Sequence, residues 1–143
     1  MSHSLGFGVP IPFVDHLGFD LTLFADGASR ILYTPKPEHL NSFAVTHGGA
    51  VMTLMDVTMA TAARSVQPEM GVVTIEMKTS FMRPARGPLR GEGSLLHRSR
   101  SMAFTEARIF DAEDRLCAHA TGTFKYLPRS SDAAGTATPI STD

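Results

Sequence analysis

The sequence predicts an α+β fold in which one antiparallel sheet of about five to six strands wraps a single long buried helix. Two strand-like runs come first, then one helix-like run, then four more strand-like runs. The helix-like run is apolar nearly all round, and a curved sheet can cover a helix on that many sides. At 143 residues, 43% of them hydrophobic, the chain fits one domain.

Composition divides the chain into a short irregular segment over residues 1–15, one domain over residues 16–128 and a tail over residues 129–143. The first segment is rich in Gly and Pro, with one helical turn expected near Pro12–His16. The tail is poor in apolar residues and is predicted to be disordered. No internal repeat is present.

The first two strands are predicted at Leu17–Phe24 and Ser29–Thr34. Asp26 and Gly27 between them form a dipeptide that favours a tight hairpin turn. The helix is predicted from Gly48 or Gly49 to Arg64.

The last four strands are separated by Pro-rich or polar turns, and they are predicted at Val72–Met82, Leu89–His97, Met102–Phe110 and Leu116–Leu127. Alternation in the first of them assigns one face to Val73, Ile75, Met77 and Phe81. In the last, the shared face is assigned to Leu116, Ala118, Ala120, Gly122, Phe124 and Tyr126.

Charge and cysteine content exclude several classes of protein. Thirteen Lys and Arg against fourteen Asp and Glu leave no basic excess for a nucleic-acid surface. The single cysteine, Cys117, excludes an internal disulfide and a cysteine-based zinc cluster. No apolar run is long enough to span a bilayer, and the first residues lack the pattern of a signal peptide. We therefore expect a cytoplasmic protein that binds neither membrane nor nucleic acid.

Asp56 is the most informative residue because it is a carboxylate inside an apolar helix. Its neighbours one turn away are Met52, Thr53, Met59 and Ala60, and none of them is cationic. Such a carboxylate must be solvated, paired through tertiary or quaternary contacts, or protonated. Perturbed carboxylates concentrate at functional sites, but a structural Asp hydrogen-bonded to Thr53 or to backbone is the alternative.

The helix begins after Thr46, His47, Gly48 and Gly49. Two glycines leave the first N–H groups of a helix open to a ligand, at the positive end of the helix dipole. An N–H group there can stabilise the oxyanion that forms when a carbonyl is attacked. A tight turn that needs glycine for steric reasons is the alternative.

Taken together, these residues resemble a known family. Asn41, the His47-Gly48-Gly49 run and Asp56 follow the spacing N-x5-H-G-G-x6-D, and a second matching stretch is Gly71–Ala85. Over about residues 15–127 the chain resembles hotdog-fold acyl-CoA thioesterases of the phenylacetate-pathway type, the family that also contains hydroxybenzoyl-CoA thioesterases. The implied fold is the hotdog, and the implied activity is hydrolysis of an acyl- or aryl-CoA thioester to free acid and CoA.

The resemblance also implies roles for individual residues. The Asp56 position acts as nucleophile or as general base for water, and the Gly48 amide polarises the thioester carbonyl. The Asn41 position holds the substrate or the attacking water, and the Thr74 position orients the carboxylate or the water. His47 belongs to the same motif and is a further candidate catalytic residue.

Binding residues are expected around the coenzyme and the acyl group. Because arginine suits phosphate geometry, Arg83, Arg86, Arg98 and Arg100 are candidate partners of the coenzyme phosphates. The resemblance to the family also implies that Pro84 and Gly49 lie beside the substrate. The candidate lining of the acyl pocket is Phe43, Val45, Met52, Met55 and Met59. For the three methionines, which follow helical spacing, a place in the core is the alternative.

Two positions depart from the family pattern. Many relatives have Gly where this chain has Ala44. Enzymes of the family with Glu in the helix carry a hydroxyl residue four positions later, where this chain has Ala60. The second departure favours the arrangement based on Asp, with Thr74 as the hydroxyl.

The resemblance further implies a homodimer with active sites shared between subunits: Gly48 and Asn41 from one, Asp56 and Thr74 from the other. A tetramer built as a dimer of dimers is common in the family. No metal and no cofactor is expected, since coenzyme A is part of the substrate. The alternatives are a non-catalytic hotdog protein that binds acyl-CoA or another ligand, and a hotdog dehydratase.

Overall fold

A computed structural model describes residues 4–129, which form a six-stranded antiparallel sheet curved around one long helix. The strands lie in the order β1-β2-β4-β5-β6-β3, so β1 and β3 are the two edges. In chain order the elements are α1 Pro12–Leu17, β1 Asp20–Ala25, β2 Ala28–Tyr33, a 3₁₀ turn Pro37–His39, α2 Gly48–Arg64, β3 Met70–Phe81, β4 Leu89–Arg98, β5 Met102–Asp111 and β6 Leu116–Pro128. This confirms the predicted fold class. Apart from Arg129, the predicted tail lies outside the described residues.

The first elements depart from the prediction at one point. The helical turn expected near Pro12–His16 is α1, and it extends through Leu17. Gly18 ends it in the left-handed conformation with φ of 78°, so β1 begins only at Asp20 and the strand start predicted at Leu17 is wrong. The predicted turn between β1 and β2 is confirmed: Asp26 and Gly27 have φ of 54° and 84°.

The helix α2 spans the residues predicted for it and lies on the concave face of the sheet. Its residues Leu54, Met55 and Met59 are fully buried there. Buried polar groups at α2 are paired: the Thr58 hydroxyl donates to the Leu54 carbonyl within the helix at 2.6 Å, and the Tyr126 hydroxyl of β6 donates to the Ala63 carbonyl at 2.6 Å.

Three strand glycines let α2 approach the sheet closely. A Cβ atom at Gly93 would lie 2.6 Å from the Thr58 carbonyl oxygen and 2.6 Å from the Ser29 hydroxyl. At Gly91 and Gly122 an added Cβ would lie 2.7 Å from the Thr58 hydroxyl and 3.0 Å from the Met59 methyl. The missing side chains therefore fix the height of the helix above the sheet.

The strand β3 carries a bulge that changes which residues face inward. Thr74 pairs with Phe124 and Glu76 pairs with Thr123, so Ile75 is the extra residue. Before the bulge Val72 packs on the core, and after it Met77 does. The face predicted from strict alternation is therefore wrong for Val73 and Ile75, and Ile75 is 55% exposed. By contrast, the face predicted for β6 is confirmed from Ala118 to Tyr126 by the burial of alternate residues, but it is wrong for Leu116. There Ile109 pairs with Ala118 and Phe110 with Leu116, so Cys117 is an extra, buried residue and Leu116 lies off the buried face.

Within residues 4–129, no helix is both long enough and apolar enough to cross a membrane.

We expect Gly93→Ala to lower the free energy of unfolding by about 1–3 kcal/mol, because its Cβ has no room between α2 and β2. The matched control is Gly71→Ala on β3, where an added Cβ meets only the Arg129 side chain at 3.4 Å. Urea unfolding of both variants measures the difference. Equal stability of the two variants would contradict the packing argument.

Candidate active site

The Asp56 carboxylate lies between α2 and β3, in a shallow groove on the surface of the chain. The Thr74 hydroxyl donates a hydrogen bond to its Oδ1 at 2.6 Å. The groove is lined by Gly49, Met52, Thr53, Asp56, Thr74 and Met77. The bulge at Ile75 gives Thr74 this position, because Thr74 shares the inward face of its cross-strand partner Phe124. The alternative partner, the Thr53 hydroxyl, instead donates to the Gly49 carbonyl at 2.8 Å.

Partial burial raises the pKa of Asp56 above its ordinary value, and the hydrogen bond from Thr74 opposes that rise. Burial has the larger effect because it removes water from the charged form without supplying a cation. The carboxylate is therefore more basic than a solvated Asp and is held in one orientation by Thr74. Both properties suit a group that attacks a carbonyl or takes a proton from water.

The N-terminus of α2 presents one open amide. His47 is the N-cap, and its Nδ1 accepts the Gly49 N–H at 2.8 Å. The N–H groups of Ala50 and Val51 donate to the His47 carbonyl. Among the described residues, the Gly48 N–H has no acceptor, so it is the amide left to bind a ligand oxygen.

Gly49 is required at its position by the His47 cap. A Cβ there would lie 3.0 Å from Nδ1 of His47. Because Nδ1 accepts a hydrogen bond, the ring proton of a neutral His47 is on Nε2. The structure thus gives His47 a role in capping the helix, and its part in catalysis stays a prediction.

Asn41 organises the loop that leads into α2. Its Oδ1 accepts hydrogen bonds from the Phe43 N–H at 2.9 Å and the Val45 N–H at 3.3 Å. This leaves the side-chain NH₂ as the group that can reach a ligand. Ala44 adopts φ of 59°, in the left-handed region that favours glycine, so the Gly that the resemblance implies for this position would need no change of the loop path.

A cavity of about 510 Å³ lies beside the Gly48 amide. Its walls are the Asn41 loop, the end of β3 with the segment after it, and the start of β6. The lining residues are Asn41, Phe43, Val45, Thr46, Gly48, Val51, Phe81, Met82, Arg83, Pro84, Ala85, Arg86, Cys117 and Ala118. Most of the wall is apolar, and Arg83 and Arg86 supply positive charge at one part of it.

The predicted residues therefore fall into two groups within one chain. Gly48, Asn41, Arg83 and Pro84 meet at the cavity, whereas Asp56, Thr74 and Gly49 meet at the groove. Gly48 and Asp56 are eight residues apart on α2, or about 12 Å along its axis. One carbonyl group cannot contact both in the same chain.

Arg98 and Arg100 are not brought to either group. The Arg98 guanidinium lies over the Tyr126 ring, with its carbon 5.0 Å from the ring centre. Tyr126 itself bonds to Ala63 at the C-terminal end of α2. Since α2 has 17 residues, that end lies about 25 Å from the Gly48 amide.

The structure also divides the residues expected to line an acyl pocket. Met55 and Met59 are core residues, because they are fully buried against the sheet, which is the alternative given for them above. Met52 lines the groove, and Phe43 and Val45 line the cavity. Phe81 and Met77 were not predicted as site residues. Alternation placed both on one face of β3, and the structure shows that Phe81 lines the cavity and Met77 the groove.

Comparison with known proteins identifies a family and related structures. The sequence pattern of the thioesterase superfamily matches residues 43–118, more than half of the chain. A protein of Saccharolobus solfataricus named "Putative esterase" is 34% identical over 93 residues, which are 64% of this chain and 66% of that protein. A conserved protein of Pseudomonas aeruginosa has a solved structure that is 30% identical, with a TM-score of 0.79, covering 84% of this chain and 97% of that one.

The E. coli PaaI protein, from an operon for phenylacetic acid degradation, has the same fold. It is 20% identical, with a TM-score of 0.77 over 82% of this chain and 85% of that one. The superfamily match, the esterase name of the relative and the shared fold agree with one another. The chain is a member of the thioesterase superfamily, a hydrolase with a PaaI-like hotdog fold.

Proposed function

We propose that the protein is an acyl-CoA thioesterase that hydrolyses an acyl- or aryl-CoA to the free acid and CoA. The observation that carries the proposal is the pairing of a partly buried, Thr74-bonded Asp56 carboxylate with an open Gly48 amide on the same helix. A thioester carbonyl is electrophilic and its thiolate leaves readily, so a carboxylate and an oxyanion donor suffice. The reaction needs no metal and no cofactor.

The substrate lies between two subunits in this proposal. The Gly48 amide and Asn41 of one subunit hold the carbonyl, and Asp56 and Thr74 of the other supply the attacking group. The distance of about 12 Å between Gly48 and Asp56 within a chain supports this division. The edge strand β3, bonded to β6 on one side only among the described residues, supports a second copy at this edge. Two such dimers form the tetramer that we expect.

The coenzyme phosphates bind Arg83 and Arg86 beside the cavity. Arg83 is already oriented by a hydrogen bond from its Nη1 to the Leu116 carbonyl at 3.0 Å. Arg98 and Arg100 contact the coenzyme only if it, or a neighbouring subunit, reaches the far end of α2. The location that we propose is the cytoplasm, where acyl-CoA esters are made and used.

Two routes follow from the Asp56 geometry. As a nucleophile, the carboxylate attacks the carbonyl carbon, the C–S bond breaks, and CoA leaves as thiolate from a mixed anhydride that water then hydrolyses. As a general base, it takes a proton from water, the resulting hydroxide attacks the carbonyl carbon, the C–S bond breaks, and the departing CoA thiolate takes up the proton held on Asp56. In a single turnover in heavy-oxygen water, label in Asp56 identifies the nucleophilic route, because it enters by water attack at the Asp56 carbonyl of the anhydride. Label in the free acid alone is expected for the base route and also for water attack at the acyl carbonyl of the anhydride.

We expect Asp56→Asn to lower kcat by at least about a hundredfold, because the amide is neither nucleophile nor base. The measurement is release of free thiol from a panel of aryl-, short-chain and medium-chain acyl-CoAs. The matched control is Asp26→Asn in the β1–β2 turn, where Asn tolerates the φ of 54° and activity should be unchanged. Hydrolysis by Asp56→Asn at the wild-type rate would refute the mechanism, and no thiol release by the wild type would refute the function.

The pH dependence of kcat/KM should reveal the effect of the Thr74 hydrogen bond on the pKa of Asp56. Activity requires the Asp56 carboxylate, so kcat/KM falls as the pH drops through the raised pKa of Asp56. Thr74→Val removes the donor that opposes this rise, so its acidic limb should move to higher pH, with kcat/KM about tenfold lower on the plateau. Thr74→Ser keeps the hydroxyl and should retain the wild-type profile. Identical limbs for all three proteins would contradict the assigned role of Thr74.

The same burial predicts an effect on stability. A carboxyl whose pKa is higher in the folded state than in the unfolded chain favours folding below the unfolded value and loses that contribution as the pH rises through the folded one. Above its raised pKa Asp56 is charged and partly desolvated, so Asp56→Asn should raise Tm there. The gain should shrink as the pH falls toward the unfolded value. Thermal melts at a series of pH values test this, and a lower Tm of the variant at pH 7 would contradict it.

A further inference from the structure

His39, the last residue of the 3₁₀ turn, is a buried histidine that lies outside the cavity and the groove. Its Nδ1 accepts the Tyr33 hydroxyl at 2.8 Å and the Lys36 N–H at 3.1 Å. Because Nδ1 is an acceptor, the ring is neutral and carries its proton on Nε2. Burial raises the pKa of Tyr33, which keeps its hydroxyl protonated and able to donate.

Tyr33 is a rigid partner for this ring. It ends β2, it is 1% exposed, and its ring packs edge-on against Phe19 with 4.9 Å between the ring centres. Its backbone is part of the sheet, because Tyr33 pairs with Leu89 of β4. The hydrogen bond from the Tyr33 hydroxyl therefore anchors the His39 ring to the sheet.

The backbone of His39 holds the residue that precedes the open amide of α2. The His39 carbonyl accepts the His47 N–H at 2.9 Å, and beside it Leu40 and Thr46 form an antiparallel bridge. The Gly48 N–H belongs to the peptide that follows His47, so its direction depends on where His47 is held. His39 thus connects the sheet to the amide.

The other ring nitrogen of His39 has no partner. Its Nε2 is buried and lacks a hydrogen-bond acceptor within residues 4–129. A buried N–H group without an acceptor costs free energy, and an apolar side chain would fill this space without that cost. What an apolar side chain would lack is the Nδ1 acceptor, which indicates that the bond to Tyr33 is the reason for a histidine here.

We propose that Tyr33 and His39 are positioning residues for thioester hydrolysis, an inference that rests on the proposed function. Their hydrogen bond holds the loop from His39 to His47 against β2, so that the Gly48 amide and the Asn41 side chain keep fixed positions at the cavity. A fixed amide matters most when the carbonyl oxygen becomes an oxyanion. The pair should therefore act on kcat and not on KM.

The first test is Tyr33→Phe, which removes one oxygen atom and leaves the ring. The matched control is Tyr126→Phe, because Tyr126 is also buried and its hydroxyl donates to the Ala63 carbonyl near the other end of α2. Both variants should be less stable to urea than the wild type. Under conditions where both are folded, only Tyr33→Phe should lower kcat for thiol release, by about tenfold, with KM unchanged. Equal kcat values for the two variants would overturn the proposal.

A second matched pair is His39→Asn and His39→Leu. The two side chains have nearly the same shape, and only Asn offers an acceptor near the position of Nδ1. His39→Asn should keep kcat near the wild-type value, whereas His39→Leu should match Tyr33→Phe. The same loss in both His39 variants would mean that the ring serves packing alone and would overturn the proposal. If neither variant folds, the comparison of the two tyrosine variants decides.

Amide hydrogen exchange separates this inference from the proposed function, because it needs no substrate. Tyr33→Phe should speed exchange of the His47 N–H by about tenfold, whereas Tyr126→Phe should leave it unchanged. Unchanged exchange at His47 in Tyr33→Phe would overturn the proposal, whatever the activity of the wild type. If exchange changes as expected but the wild type hydrolyses no acyl-CoA, the positioning contact stands and the function falls.

Discussion

The close approach of α2 to the sheet is the contact on which the remainder of the structure depends. Gly91, Gly93 and Gly122 leave room for the helix backbone and for Thr58 and Met59. Because α2 packs close to the sheet, the Thr74 hydroxyl can bond to the Asp56 carboxylate. For the same reason the first residue of α2, Gly48, lies beside the Phe81 ring, and a Cβ atom at Gly48 would be 3.7 Å from it. A helix held higher above the sheet would lose both contacts. The geometry of the candidate site thus depends on glycines of the sheet that face α2 and carry no side chain.

The sequence pattern was sufficient for the elements whose causes are local. The turn at Asp26 and Gly27 requires two residues that tolerate positive φ, and both are visible in the sequence. The helix from Gly48 to Arg64 is marked by a cap at one end and by uninterrupted helix-compatible residues. In both cases a few neighbouring residues determine the conformation, so no knowledge of the fold is needed.

Features that depend on tertiary packing were missed. Nothing in the residues around Ile75 signals a bulge, because the register of β3 is set by its pairing with β6. The extension of α1 through Leu17 depends on Gly18, which suits a strand break as well as a helix end. Met52, Met55 and Met59 look alike in a helix that is apolar all round, and only the position of the sheet shows that Met52 alone of the three is exposed.

Asp56, by contrast, was found from its charge and the absence of a local partner, whereas the separation of its groove from the Gly48 cavity required the structure.

The bulge at Ile75 has a consequence for the accuracy of assembly. A regular edge strand can slide along its neighbour by two residues and keep the same side chains facing inward, but a bulge fits its partner strand in one alignment only. A slip at β3 would place Val72 or Glu76 where Thr74 now meets Asp56, and the carboxylate would lose its hydrogen bond. The bulge therefore fixes the register of β3 against β6. It ties correct strand alignment to the Thr74–Asp56 hydrogen bond of the candidate site, so under the proposed mechanism misaligned chains would lose activity even where they remained folded.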